Sequence, residues 1–264
     1  MNTNSTFLKR NSLTIYLILT PLISLAIAFF LPLPIVIIAL LLLLVPSGFA
    51  ILFAAIGDGR KGVVELLKKL IQWRISLKWY AVTLGLSVGI ILAAGVLAYL
   101  LGWMPSFQIH VPASSQLIFN AILILLVAVL EELGWRGYAL PRLLAHRSPL
   151  SSALIIGVLW GILHIGIGLR DGRPWLPTFL VPIGLSVMMT WLFVHTHGNL
   201  AMAMLFHFVV DYSPQFLLYR LTTEQNVWAQ AIAGLTLALI FMVAFSPNLQ
   251  RSPVIKSAAV DAGS

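Results

Sequence analysis

Long apolar runs separated by short polar stretches constrain the fold of this chain more than any other feature. The mean hydropathy is +0.99 and only 9% of the residues are charged. An ordinary soluble domain carries about 25% charged residues, and an apolar run of about 20 residues can cross a bilayer as a helix. We therefore predict an all-α fold, a polytopic transmembrane helix bundle.

The apolar runs predict about eight transmembrane helices in a single integral membrane domain over residues 1–264. The first run is long for a signal peptide and no A-x-A cleavage site follows it, so we interpret it as a retained helix. A polar tail follows the last run. The predicted spans are Leu13–Leu31, Pro34–Ile56, Leu77–Leu101, a fourth that begins at Gln116, Leu150–Ile167, Leu176–Val194, Leu200–Leu218 and Asn226–Phe245.

The distribution of lysine and arginine predicts the topology of these spans. Thirteen of the 16 basic residues fall in segments on the side of both termini, and only Arg170, Arg173 and Arg220 fall on the other side. Basic loops collect in the cytosol, so we predict a multi-pass protein of the cell membrane with both termini cytosolic. Topology accounts for most of the net charge of +8, and we expect no nucleic-acid partner.

One cytosolic segment, at about residues 57–78, interleaves cations with leucine and tryptophan side chains. This pattern is typical of an amphipathic helix that lies on a membrane surface. We predict such a helix here, with a topogenic role.

Three ionisable residues, Glu131, Glu132 and Arg136, follow a run of almost purely apolar residues that begins at Leu117. Each such group inside a bilayer costs roughly 2.5–3.5 kcal/mol, so the cluster indicates a functional site. Glu132 and Arg136 are four residues apart and can form an ion pair on one helix face. Glu131 points about 100° away and is free for other contacts.

The depth of Glu131 in the membrane follows from the turn near Arg147, which lies about midway between Glu131 and His164. Two antiparallel helices that leave this turn would carry both side chains to one level. We interpret Arg136–His146 as a polar hairpin that projects beyond the membrane. Glu131 and His164 would then lie about 10 Å below the cytosolic face, in a site that opens to the cytosol.

A third helix supplies His207 and Asp211, which are four residues apart and share a helix face. His207 lies about two helical turns after the cytosolic turn at Gly198–Asn199, so it should reach the same layer as Glu131 and His164. Three helices are therefore predicted to deliver polar groups to one site.

These residue types suit hydrolysis by an activated water molecule. A partly desolvated carboxylate beside a histidine can act as a general base on water, and a second histidine can stabilise an oxyanion or protonate a leaving amine. The alternative is a divalent metal such as zinc, held by Glu131, His164, His207 and Asp211. The chain has no cysteine and no H-E-x-x-H motif, so either no cofactor or such a metal is expected.

The motifs resemble those of the CAAX protease and bacteriocin-processing family of intramembrane endopeptidases, which includes the type II CAAX prenyl endopeptidases. The resemblance covers a catalytic core at about residues 116–212, where the motifs occur in the family's order on separate helices. It rests on Glu131-Glu132-x-x-x-Arg136, on an aromatic-x-x-x-His pattern from Trp160 to His164, and on His207-x-x-x-Asp211.

The resemblance implies an intramembrane endopeptidase that cleaves a peptide or membrane-protein substrate within the lipid bilayer. Glu131 matches the water-activating glutamate and His164 the histidine that works with it. His207 and Asp211 match the pair near the scissile carbonyl, and Glu132 and Arg136 match the adjacent glutamate and the arginine.

Asp211 departs from the asparagine that eukaryotic CAAX members usually have at this position. An ionised aspartate cannot donate a hydrogen bond to an oxyanion. We therefore expect Asp211 to orient His207 or to ligate a metal. Trp160 stands where phenylalanine is common, and we expect this difference to be tolerated.

A non-catalytic membrane scaffold or bacteriocin self-immunity protein of the same family is the main alternative. Every motif position is filled, which favours the enzyme. A proton-coupled transporter is disfavoured, because the ionisable groups converge on one layer and the sequence shows no internal repeat.

Overall fold

The structure, a computed structural model, describes residues 3–245, and within this range every regular element is a helix. The predicted all-α bundle is confirmed. The predicted polar tail, with Arg251 and Lys256, lies outside the described residues. The α-helices are α1 (Thr3–Phe30), α2 (Ile35–Lys68), α3 (Leu77–Leu100), α4 (Ser114–Glu132), α5 (Leu140–Leu144), α6 (Pro149–Arg170), α7 (Trp175–His195), α8 (Leu200–Tyr212), α9 (Pro214–Leu217) and α10 (Thr223–Ala244).

Eight helical segments of the described chain are long and apolar enough to cross a membrane. The fourth of them, Ser114–Leu144, joins α4 to α5 through a π-helical turn at Leu133–Ala139. The seventh, Leu200–Leu217, contains α8 and α9. The eight segments agree with the predicted number of spans and indicate a multi-pass membrane protein.

Contacts between loops define the two ends of the bundle. We call one end the basic end, which comprises residues 69–76, 145–148 and 196–199. There the Asn199 side chain donates a hydrogen bond to the carbonyl of Gln72 at 2.8 Å. We call the other end the far end, which comprises residues 31–34, 101–113, 171–174 and 218–222. There the His110 amide donates a hydrogen bond to the carbonyl of Phe216 at 2.8 Å. Arg170 also donates to the carbonyl of Leu31 there.

Close packing of α6 against α7 positions the middle of α6. A Cβ added at Gly161 would lie 2.5 Å from the carbonyl oxygen of Phe179, and one added at Gly157 would lie 2.8 Å from the Cα of Ile183. Small residues at such positions let two membrane helices approach closely. Trp160 lies beside this contact and is almost fully buried.

The basic segment at 57–78 contains the last part of α2, which a break in the backbone sets apart from the apolar part as a helix of its own. The helix is interrupted at Asp58 and Gly59, where Gly59 has a φ of +60°, and then continues to Lys68. Leu66 is buried against the protein core. The Lys69 ammonium donates to the carbonyl of Gly137 at 2.7 Å. The segment therefore lies against the π-helical turn.

The predicted hairpin that projects beyond the membrane at Arg136–His146 is wrong, because every residue from 133 to 140 is buried. The Tyr16 ring of α1 packs against Trp135 and Tyr138, at centroid distances of 5.9 and 5.0 Å. These aromatic side chains hold the segment inside the bundle, and exposed residues begin only at Ala145.

Candidate active site

The two adjacent carboxylates lie at the buried end of α4. Glu131 is 4% exposed, while Glu132 and Arg136 are fully buried. The π-helical turn that follows contains Gly134, where an added Cβ would come within 2.7 Å of the Pro46 backbone of α2. π-helical turns are rare and occur frequently at functional sites.

Glu132 forms the centre of a buried charge network. Its Oε1 atom accepts a hydrogen bond from Nη1 of Arg136 at 2.9 Å, as the i,i+4 spacing predicts. The same oxygen lies 2.9 Å from Nδ1 of His207 on α8. Buried charges need close partners with good geometry, so Glu132 joins the end of α4 to the middle of α8.

His207 lies between two carboxylates. Its Nε2 atom is 3.3 Å from Oδ2 of Asp211, while its Nδ1 atom faces Glu132. An imidazole has two N–H donors only when it is protonated, so the arrangement favours a positively charged ring. The Asp211 side chain is 41% exposed, in contrast to the buried Glu132.

Trp160 connects the remaining groups, a role that the sequence analysis missed. Its indole Nε1 donates to Oε2 of Glu131 at 2.5 Å. The Arg136 guanidinium lies 4.6 Å from the centre of the indole ring, and the His207 ring lies 5.3 Å away. The aromatic-x-x-x-His motif contains the signal, because tryptophan, unlike phenylalanine, carries an N–H that can donate a hydrogen bond.

His164 lies one helical turn after Trp160 and is half-buried. Its Nδ1 atom is 2.9 Å from the carbonyl oxygen of Trp160. A carbonyl only accepts hydrogen bonds, so Nδ1 carries the proton and the Nε2 lone pair of a neutral ring is left available.

Trp160 links Glu131 to His164, the residue that is predicted to work with it on water. Among the described side chains, the hydrogen-bond partner of Glu131 is Trp160, and the two rings of Trp160 and His164 are 5.5 Å apart. Glu131 and His164 therefore belong to one cluster through the indole rather than through a direct bond.

A metal fits this arrangement poorly. Within residues 3–245, no three His, Asp or Glu side chains are placed to hold a metal ion. Of the predicted ligand set Glu131, His164, His207 and Asp211, His207 uses both ring nitrogens for carboxylates and Glu131 accepts from Trp160.

A cavity of about 460 Å³ leads from these residues to the far end of the bundle. His164, His207 and Asp211 line its inner part, and Arg173 and Thr223 line its outer part. The mouth of this cavity thus lies at the end opposite the start of α1, whereas the sequence predicted a site that opens on the side of both termini. The predicted depth relied on the projecting hairpin, which is instead buried.

Comparisons with known proteins agree with the motifs. A family model described as type II CAAX prenyl endopeptidase, Rce1-like, matches residues 113–213. This range contains all six candidate residues. CAAX prenyl protease 2 of Methanococcus maripaludis is 25% identical over 131 residues, which is 46% of this chain and 48% of the relative. The chain thus aligns with about half the length of that curated relative.

Replacing Glu132 by glutamine should destabilise the protein, because it leaves the buried Arg136 charge without its carboxylate. We expect the free energy of unfolding in detergent to fall by about 3 kcal/mol, since removal of one partner of a buried pair costs about 3–5 kcal/mol. Unfolding of the purified protein by heat or denaturant measures the change.

Glu65→Gln is the matched control, because Glu65 forms an exposed i,i+4 pair with Lys61 at 3.9 Å. An exposed pair contributes at most about 1 kcal/mol. Equal, small effects of the two substitutions would contradict the buried network.

Proposed function

Because residues 113–213 match the type II CAAX prenyl endopeptidase model and support membership of the CAAX protease and bacteriocin-processing family, we propose that the protein is an intramembrane endopeptidase. It hydrolyses a peptide bond with an activated water molecule. The observation that carries the proposal is the buried cluster around Trp160, which joins three helices next to a cavity.

Glu131 is the general base of the proposed reaction. Trp160 donates to Oε2, which orients the carboxylate and leaves Oε1 to accept a proton from water. The water oxygen then attacks the scissile carbonyl carbon. A base positioned in this way contributes about 10²- to 10⁴-fold to the rate.

His164 assists the proton transfers of the proposed reaction. Its Nδ1 atom is held by the Trp160 carbonyl, so Nε2 can hydrogen-bond the attacking water. When the tetrahedral intermediate collapses, the C–N bond breaks. The proton taken from water passes to the leaving amine, which leaves a carboxylate and a free amino group.

His207 supplies positive charge near the developing oxyanion. The carboxylates of Glu132 and Asp211 flank its ring and favour the protonated form. A fixed positive charge in a site with little water stabilises an oxyanion strongly. Asp211 orients this ring, which agrees with its inability to donate a hydrogen bond when ionised. Arg136 holds Glu132 in place.

The substrate of this reaction is a peptide or a membrane-protein segment that reaches the site within the bilayer. The protein is proposed to reside in the cell membrane with both termini in the cytosol, because its basic residues collect on that side. Residues 1–264 act as a single integral domain with the catalytic core at about 116–212.

Glu131→Gln should abolish processing, because an amide cannot take a proton from water. In cells that lack the protein, a precursor should accumulate in the membrane fraction, as measured by mass spectrometry. Wild-type protein should restore its processing, and Glu131→Gln should lower the rate by about 10²- to 10⁴-fold.

Glu65→Gln, on the exposed face of α2, should restore processing fully and controls for expression. Restoration by Glu131→Gln to the wild-type rate would end the proposed mechanism and favour a non-catalytic role.

Trp160→Phe should lower kcat more than it raises KM, because the ring remains but the hydrogen bond to Glu131 is lost. A hydrogen bond to a charged group is worth about 1.5–3 kcal/mol, which corresponds to about a 10- to 100-fold loss of rate. Steady-state cleavage of the identified precursor by purified protein measures the loss.

Trp191→Phe is the matched control, because the Trp191 indole is also buried but its N–H has no hydrogen-bond partner in the described part of the chain. It should retain the wild-type rate. Equal rates for both variants would show that the indole N–H does not position Glu131.

A further inference from the structure

The cavity beside the candidate site reaches only one end of the bundle. Its outer lining includes Asp171 and Arg173 from the loop after α6, and Leu221 and Thr223 from the region where α10 begins. Asp171, Arg173 and Thr223 are exposed, whereas the cavity residue Trp160 is almost fully buried. The cavity therefore runs from an exposed mouth at the far end to the buried site.

Polar side chains follow the cavity along α10. Thr223, Asn226 and Gln230 all line it, and the Gln230 amide donates to the Asn226 side chain at 2.7 Å. From Thr223 to Gln230 this row descends about 10 Å, at 1.5 Å per residue. Polar side chains in membrane helices face the protein interior or a water-filled cavity. The row thus marks an aqueous path from the far end toward His207 and Asp211.

The basic end of the bundle is closed over the site. Residues 133–140 are buried, and the Lys69 ammonium is bound to the carbonyl of Gly137. Asn199 joins the start of α8 to Gln72. No residue of the loops at this end lines the described cavity.

The charge of the two ends indicates which one faces the cytosol. Basic residues near the ends of membrane spans collect on the cytosolic side. The described far end carries three, Arg170, Arg173 and Arg220. The described basic end and its adjoining helix termini carry ten, which are Lys9, Arg10, Arg60, Lys61, Lys68, Lys69, Arg74, Lys78, Arg142 and Arg147.

We propose that the cavity is entered from the extracytoplasmic face, so that the substrate is a peptide segment exposed on that side of the membrane. The class of substrate rests on the proposed function, whereas the direction of entry rests on the cavity and the charges alone. Uncharged polar groups on α10 and apolar walls from Val181 and Leu185 suit an extended, uncharged segment whose backbone amides need hydrogen-bond partners.

Labelling of single cysteines tests the direction of entry, because the chain has no native cysteine. The variants are Thr223→Cys at the mouth, Gln230→Cys inside the cavity and Ala145→Cys at the exposed basic end. Intact cells are treated with a membrane-impermeant maleimide, with and without permeabilisation. The cysteine-free wild type gives the background.

We expect Thr223→Cys and Gln230→Cys to be labelled equally in intact and permeabilised cells, and Ala145→Cys only after permeabilisation. The reverse pattern would overturn the proposal and place the mouth in the cytosol. Labelling of Thr223→Cys without any labelling of Gln230→Cys would also overturn it, because the mouth would then not lead to the site. Labelling needs no proteolysis, so a failure of the proposed function leaves these outcomes readable.

Discussion

A buried carboxylate shared by an arginine and a histidine holds the centre of this protein together. Glu132 is fully buried and its Oε1 atom meets both Arg136 and His207 at 2.9 Å. Such a group is tolerated inside a membrane protein only with compensating charge. The requirement explains why the end of α4, the π-helical turn and α8 remain in one register, and why Arg136 lies against the Trp160 ring.

The polar groups around Glu132 differ in their exposure and in their contacts. Glu132 and Arg136 are sealed from the cavity and serve as a scaffold, whereas Asp211 is 41% exposed and faces the cavity. Between them His207 is polarised from both sides. Glu131 accepts a separate hydrogen bond from the indole N–H of Trp160. A buried charge network thus lies beside the carboxylate that we propose as the general base, and the Trp160 ring contacts both.

The sequence predicted the contacts that a single helix determines. The pairs Glu132–Arg136 and His207–Asp211 follow from i,i+4 spacing alone and are present. It did not predict the contacts between helices, Glu132 to His207 and Trp160 to Glu131, because these depend on how each helix is rotated in the bundle. The depth of the site was not predicted, because the charge of Arg136 indicates an exposed segment, whereas packing of neighbours such as Tyr138 buries it.

Burial of the π-helical turn also closes the end of the bundle at which the sequence predicts an opening. The cavity beside the site leads to the other end. Glu132 and His207 should stabilise each other across two helices, because the Glu132 carboxylate lies 2.9 Å from Nδ1 of His207. A double-mutant cycle with Glu132→Gln and His207→Gln, read as free energies of unfolding in detergent, measures this directly. We expect a coupling free energy of about 1–3 kcal/mol, which is in the range measured for residues that share one hydrogen-bond network. Additive effects, with a coupling near zero, would contradict it.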